Sequence, residues 1–239
     1  MSAGQLPLDL RLRDSARFET FHAGRYGLLV AALRAHAAGG PGSERQLYLH
    51  GCEGCGKTHL LQATCHEAFA HGQSCGYLPL LELSAQDPAA VLEGMDRLDL
   101  LALDDLQVVA GRLDWERVLF GLINRVRERD GRLLMAARLA PDGMHCVLPD
   151  LRSRLGWGPV FRLDAPGDRE LKAILQKRAE LRGLELSDGV AGYLLRHECR
   201  DLEGLLTLLD RLDLAALAHQ RRLTIPFIRD QLGRPGSRC

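Results

Sequence analysis

Apolar residues recur along this chain with two different spacings. Short, almost unbroken apolar runs read as strands covered on both faces, and longer stretches with apolar residues three and four apart read as helices. The strand-like runs are Gln46-Leu-Tyr-Leu-His50, Gly76-Tyr-Leu-Pro-Leu80, Asp99-Leu-Leu-Ala-Leu-Asp104-Asp105, Arg132-Leu-Leu-Met-Ala-Ala137 and Val160-Phe-Arg-Leu163. Pro79 places the second toward a sheet edge or a strand end. Helical spacing appears from Gly27 to about Ala38, over Thr58–Ala70, in a short stretch around Ala89–Met95, and most clearly over Asp114–Arg129. In that last segment Trp115, Val118, Leu119, Leu122, Ile123 and Val126 form one stripe, with Arg and Glu on the other face.

Alternation of strands and helices predicts an α/β fold, with a parallel five-stranded sheet between helices. Ala165-Pro-Gly167 breaks the pattern, and everything beyond it reads as helix: Asp168–Arg182, Ser187–Glu198 with Ser187 as N-cap, Asp201–His219, and a last helix starting near Thr224–Pro226. The expected organisation is a tail over 1–12, an α/β domain over 13–164 and a small all-α lid domain over 165–239.

Composition narrows the class. The 239 residues are 46% hydrophobic, and Lys+Arg and Asp+Glu both total 31. Zero net charge argues against a general electrostatic grip on nucleic acid or an acidic membrane surface. Apolar runs such as Leu100–Leu103 are too short to span a bilayer, and the N-terminus lacks the basic start and apolar core of a signal peptide. The expectation is a cytoplasmic protein with no membrane partner. Seven scattered cysteines suit reduced thiols. Cys52 and Cys55 invite a redox or zinc reading, but no second cysteine pair follows at zinc-ribbon spacing.

Candidate chemistry begins between the first strand and the second helix. Gly51-Cys-Glu-Gly54-Cys-Gly56-Lys57-Thr58 has the spacing of a phosphate-binding loop. Glycines let backbone N–H groups wrap an oxyanion, and the following helix adds its N-terminal N–H groups and dipole. Lys57 would meet the outer phosphates, and the Thr58 hydroxyl would ligate Mg²⁺. Only three lysines exist in the chain, and one falls where the motif needs it. An apolar run ending in Asp104 and Asp105 puts carboxylates at a strand's C-terminal tip, where α/β sheets bind ligands. Asp104 is the candidate for holding Mg²⁺ through water, and Asp105 for polarising an attacking water. The expected ligand is ADP or ATP with Mg²⁺.

Four strings occur in order: Gly51–Thr58, Leu-Ala-Leu-Asp-Asp105, Leu151-Arg-Ser-Arg154-Leu-Gly-Trp-Gly158 and Arg200-Asp-Leu-Glu-Gly204. Together they resemble the AAA+ module of the bacterial replication initiator DnaA, over roughly residues 15–230. DnaA continues into a helix-turn-helix DNA-binding domain, for which this chain leaves no room. Near its start, Gln5-Leu6-Pro7-Leu8-Asp9-Leu10 resembles a sliding-clamp-binding peptide. That layout, with the late Leu223-Thr-Ile-Pro-Phe227 string, resembles the Hda branch, the regulatory inactivators of DnaA.

The resemblance implies a mechanism. A member of that branch sits on the DNA-loaded clamp of DNA polymerase III, through Gln5, Leu6, Leu8 and Leu10 here, and stimulates ATP hydrolysis by DnaA. Arg154 matches the arginine finger supplied in trans, and Arg200 matches the nucleotide-sensing arginine of the lid. In DnaA the fourth strand ends in polar residues that position the hydrolytic water. Here Ala136 and Ala137 stand at that point and have no side-chain polar group. Nucleotide binding with slow intrinsic turnover is therefore expected. Residues 81–96, between the second and third strands where DnaA carries single-strand contacts, contain no Lys or Arg, so a DnaA-like DNA-binding filament former is the weakest reading, and no direct sequence-specific DNA binding is expected. The competing expectation is an ATP-dependent loader of a replicative helicase or clamp. Homo-oligomerisation is plausible for an AAA+ module, although no apolar stripe demonstrates it.

Overall fold

The structure, a computed structural model, describes residues 12–40, 42–197, 202–219 and 223–232. In chain order it builds α1 (Gly27–Ala38), β1 (Gln46–Gly51), α2 (Lys57–Ala70), β2 (Cys75–Pro79), α3 (Leu80–Leu83), α4 (Pro88–Leu92), β3 (Leu100–Asp104), α5 (Leu113–Glu128), β4 (Arg132–Ala137), α6 (Pro149–Leu155) and β5 (Val160–Leu163). Four helices follow: α7 (Asp168–Glu180), α8 (Asp188–His197), α9 (Leu202–His219) and α10 (Ile225–Leu232). The described residues fall into two compact units. One holds 12–18, 26–51 and 56–163; the other holds 19–25, 52–55 and 164 onward.

The strands of the first unit pair in parallel in the order β2-β3-β4-β1-β5. Alternation across the pleat explains the unbroken apolar runs. Tyr48, Leu101, Leu103, Leu133 and Met135 join a core with Trp115, Leu119, Leu122, Ile123 and Val126 of α5. The intervening Leu47, Leu49, Leu100, Ala102 and Leu134 are equally buried, with α1 and α2 packed on each other and α2 on β3. Each fully buried Leu or Ile contributes about 1.5–3 kcal/mol.

Local deviations from the periodic reading have visible causes. The helix expected over Ala89–Met95 stops at Leu92, because Gly94 takes a left-handed conformation (φ 74°). Its start is fixed by Asp87, whose Oδ2 accepts from Ala90 N at 2.9 Å. The third strand ends at Asp104, since Asp105 turns out of it at φ 57°. The helical unit has its own core, with Leu175, Leu194, Leu205, Leu209 and Ile228 at its centre. Ser187 Oγ accepts from Val190 N at 3.4 Å, the expected N-cap of α8.

Candidate functional site

The sheet order puts β4 between β1 and β3. The loop after β1 and the carboxylates after β3 therefore flank the tip of β4 at the C-terminal edge of a parallel sheet. Gly54 (φ 73°) and Gly56 (φ 98°) hold the left-handed backbone that the loop 51–58 needs to turn into α2. Lys57 opens that helix, only 7% exposed, and its Nζ donates to the Gly51 carbonyl at 2.9 Å. Thr58 donates from Oγ1 to Asp104 Oδ2 at 2.7 Å.

Asp104 is 1% exposed, and its carboxylate is fully enlisted. Besides Thr58, the Tyr77 hydroxyl donates to Oδ2 at 3.0 Å and the Asp105 N–H donates to Oδ1 at 3.0 Å. Burial pushes the Asp104 carboxyl above the ordinary carboxylate range, helped by the neighbouring Asp105 charge; the Thr58, Tyr77 and backbone hydrogen bonds oppose this. Burial also raises the Tyr77 hydroxyl, with the Asp104 charge adding to the effect. A hydroxyl and a carboxylate oxygen 2.7 Å apart are a hard-oxygen pair suited to Mg²⁺, directly or through water. Gly51, Gly56, Lys57, Thr58, Asp104 and Asp105 are thus brought to one edge of the sheet.

Two participants escaped the sequence reading. Tyr77 projects from β2 onto Asp104, and nothing in its local pattern distinguishes it from a core aromatic. Gln107 is the other. Its Nε2 donates to Asp105 Oδ1 at 2.8 Å, while its Oε1 accepts the Arg138 backbone N–H at 3.0 Å. It therefore ties the Asp105 carboxylate to the residue following β4, beside the nonpolar Ala136 and Ala137. Its position two residues after Asp105, in a 3-10 turn (Leu106–Val108), makes the bridge geometrically natural. Cys52 is exposed and Cys55 buried, and no group of three or more metal-ligating side chains occurs among the described residues.

Arg154 stands elsewhere. It lies in the last turn of α6, whose C-terminal carbonyls are held by the first residue of β1: Gln46 Nε2 donates to Arg154 O at 2.8 Å and to Leu155 O at 3.1 Å. The chain then presses so closely on β1 that a Cβ at Gly158 would sit 1.9 Å from Gln46 O, which explains the glycine of the Trp-Gly pair. Six residues of β1 separate this end from the phosphate loop, roughly 16 Å of strand. The guanidinium is partly folded against its own chain. Nε donates to Asn124 Oδ1 at 3.2 Å, and Cζ lies 3.6 Å from the Trp157 ring centroid and 5.6 Å from that of Phe120. Among the described residues, its Nη groups make no hydrogen bond or ion pair. Arg200 and the tail residues Gln5, Leu6, Leu8 and Leu10 lie outside the described residues.

Two family descriptions match the chain: the bacterial DnaA ATPase domain over residues 81–162 and the Hda lid domain over residues 168–232. The chain is an Hda-like, DnaA-related AAA+ protein. Solved structures agree on the fold. Domain III of the Thermotoga maritima replication initiation protein DnaA matches with a TM-score of 0.76 at 22% identity, over 93% of this chain and 98% of that one. AMPPCP-bound DnaA from Aquifex aeolicus matches with a TM-score of 0.69 at 24% identity, over 83% of this chain and 66% of that one. Thermotoga maritima RuvB, the Holliday junction branch migration motor, matches with a TM-score of 0.64 at 21% identity, over 89% and 69% respectively. The Hda-like assignment accounts for the coexistence of a phosphate-loop module with a helical lid. Among the described residues, no helix is long and apolar enough to cross a membrane.

Proposed function

We propose that this Hda-like protein is a nucleotide-binding negative regulator of replication initiation that triggers ATP hydrolysis on DnaA. Gln5, Leu6, Leu8 and Leu10 seat it in the cytoplasm on the DNA polymerase III sliding clamp. From there Arg154 enters the DnaA site in trans. ADP or ATP with Mg²⁺ occupies the chain's own loop: Gly51, Gly54 and Gly56 admit the phosphates, Lys57 and Arg200 meet them, and Thr58 and Asp104 hold the metal. The AMPPCP in the Aquifex DnaA relative supports this reading of the loop. Bound Mg²⁺ would neutralise phosphate charge.

The observation that carries the trans reading is the placement of Arg154. It is anchored at the start of β1, while the phosphate loop leaves the end of the same strand. No arginine side chain spans that distance, so Arg154 serves a phosphate belonging to another molecule. A guanidinium there stabilises charge that develops on the transferred phosphoryl group, which is worth ~10³–10⁵ in rate in related systems. The chain's own turnover is slow, because Ala136 and Ala137 cannot orient water and Asp105 is already bonded to Gln107.

The decisive experiment measures ATP hydrolysis by DnaA with clamp, DNA and this protein. Arg154→Ala should remove the stimulation, about 10³-fold or more, while leaving clamp binding intact. Stimulation unchanged by that substitution would defeat the reading. The intact Thr58–Asp104 pair favours a second reading, a loader of helicase or clamp driven by hydrolysis in its own site. Leu6→Ala with Leu8→Ala separates the two. A regulator loses clamp-dependent stimulation and keeps its nucleotide affinity.

A further inference from the structure

Two thiols meet between α2 and β2. Cys65 lies in α2 and is completely buried; Cys75 is the first residue of β2 and is half-buried. Each is aimed at the other's segment. The Cys75 thiol donates to the Cys65 carbonyl at 3.3 Å, and the Cys65 thiol points at the carbonyl of Gly76, the residue after Cys75, at 4.0 Å. The two thiols also share a hydrogen bond with one another.

Their placement is fixed from both sides. Ladder pairing sets Cys75 opposite Leu100 of β3, and just before it the Ser74 N–H and hydroxyl both donate to Asp99 Oδ2, at 2.8 and 2.6 Å. Gly76 lets the strand come this close to its surroundings, since a Cβ there would stand 2.7 Å from Leu98 Cδ1. Between the cysteines α2 ends and the chain turns through Gly72, whose φ of 74° is left-handed. Two sulfurs held by separate rigid elements meet without further ordering of the chain.

The pair is chemically asymmetric. The shared hydrogen bond pulls the Cys75 thiol below the ordinary cysteine range, against burial and the Asp99 charge; the same bond, together with burial, pushes Cys65 up. The half-accessible sulfur is thus the better thiolate, and the buried one is a proton donor beside it. That division suits a reactive and a resolving cysteine.

We propose that Cys65 and Cys75 form a reversible oxidation site that closes to a disulfide with hydrogen peroxide as the oxidant, stapling α2 to β2. The Cys75 thiolate attacks one peroxide oxygen. An S–O bond forms, the O–O bond breaks, and the departing hydroxide takes up the proton that Cys75 lost on ionising, giving water. The Cys65 sulfur then attacks the Cys75 sulfenic sulfur. The S–S bond forms, the S–O bond breaks, and the hydroxyl leaves with the Cys65 proton as a second water. Each sulfur is oxidised by one electron and each peroxide oxygen is reduced by one. The staple joins the helix that begins with Lys57 and Thr58 to the strand that carries Tyr77. Facing thiols on different elements leave no mark in local spacing, which draws attention to Cys52 and Cys55 instead.

The test needs neither nucleotide nor DnaA, so its outcome is independent of the proposed function. The reduced protein is treated with hydrogen peroxide, remaining thiols are alkylated, and the chain is digested without reductant and mapped by mass spectrometry. Peptides linked through Cys65 and Cys75 should appear and should separate again with dithiothreitol. The oxidised protein should melt roughly 5 °C higher, the effect of closing a short loop in the unfolded chain. Cys75→Ser should abolish both the linkage and the shift. Cys65→Ala should leave a sulfenic acid on Cys75 that dimedone traps, and a variant without that adduct would overturn the reactive and resolving roles. Should the buried Cys65→Ala fail to fold, Cys75→Ser, at the half-buried start of a strand, still decides the linkage. Peroxide-treated protein in which Cys65 and Cys75 both remain open to alkylation, or in which the new disulfide joins other cysteines, overturns the proposal. A Cys65–Cys75 link that leaves the melting temperature unchanged or lower overturns the staple.

Discussion

β1 has a phosphate loop at one end and an arginine helix at the other, and the chain treats its polar groups differently at each. At the loop end the ligand-directed groups are bonded to one another: Lys57 to Gly51, Thr58 and Tyr77 to Asp104, and Gln107 to Asp105. A nucleotide entering there exchanges one set of hydrogen bonds for another. At the arginine end Nε and the guanidinium face are held, and the Nη groups make no hydrogen bond or ion pair among the described residues. The two ends thus differ in how far their polar groups are committed to partners among the described residues. Within this chain a strand's length keeps the two apart.

The largest effect that can break this contrast is on binding. Lys57→Ala removes a charge-assisted contact from the loop and should weaken nucleotide affinity by about 10²-fold, the effect of losing one strong ionic hydrogen bond. Arg154→Ala should leave that affinity unchanged. Isothermal titration with ADP and ATP checks both. A loss of affinity in Arg154→Ala would mean that the two ends share one nucleotide.

Next comes the start of α6, where the buried Glu116 carboxylate accepts the backbone N–H groups of Gly111, Val147 and the N-cap residue Leu148. Glu116→Gln replaces an acceptor-only carboxylate with an amide that must point a donor at one of three backbone N–H groups. With buried donors left unpaired, stability should fall by about 2 kcal/mol. Thermal melts read this directly, and the maximal stimulated rate should drop along with it. Because the Glu116 carboxylate bonds to Gly111, Val147 and Leu148 and to no residue of the loop, the nucleotide affinity of the folded fraction should not change.

The same contrast separates what the sequence made legible from what it did not. The loop, the Asp104–Asp105 pair and the strand order's general class could be read because they rest on local spacing. Phosphate wrapping needs glycines and a lysine at fixed offsets, and strands buried on both faces leave unbroken apolar runs. The props of Arg154 rest on tertiary contacts. Glu116 sits beside Trp115 at the start of a helix whose charged residues read as a solvated face, yet it is fully buried. Periodicity assigned it outward because a carboxylate is normally exposed; three backbone donors from distant loop segments reversed that. Tyr77 and Gln107 were hidden for the same reason, since their partners are 27 and 31 residues away.

A smaller effect concerns hydrolysis in the chain's own site. Gln107→Ala releases Asp105 Oδ1 to accept from a water. Intrinsic turnover should rise by about tenfold, below the full contribution of a positioned base because the β4 tip still offers no second polar partner. Single-turnover ATP hydrolysis by the isolated protein measures it. An unchanged rate would mean that Gln107 does not restrain Asp105.

The smallest effect is a pH dependence at Asp104. Its carboxyl lies above the ordinary range because it is buried, so the metal-free fold binds the proton more tightly than the unfolded chain does. This group's contribution to stability is therefore fully present below the unfolded value of 3.8 and is lost as pH rises through the folded value. Mg²⁺ requires the ionised form and competes with that proton. The rise in melting temperature produced by Mg²⁺ with nucleotide should thus be larger at about pH 8 than at about pH 5.5. Asp104→Asn mimics the protonated carboxyl. It should raise the metal-free melting temperature slightly at neutral pH while removing the Mg²⁺ response and its pH dependence. A Mg²⁺ response that survives in Asp104→Asn would place the metal away from the Thr58–Asp104 pair and leave that end of β1 with phosphate contacts alone.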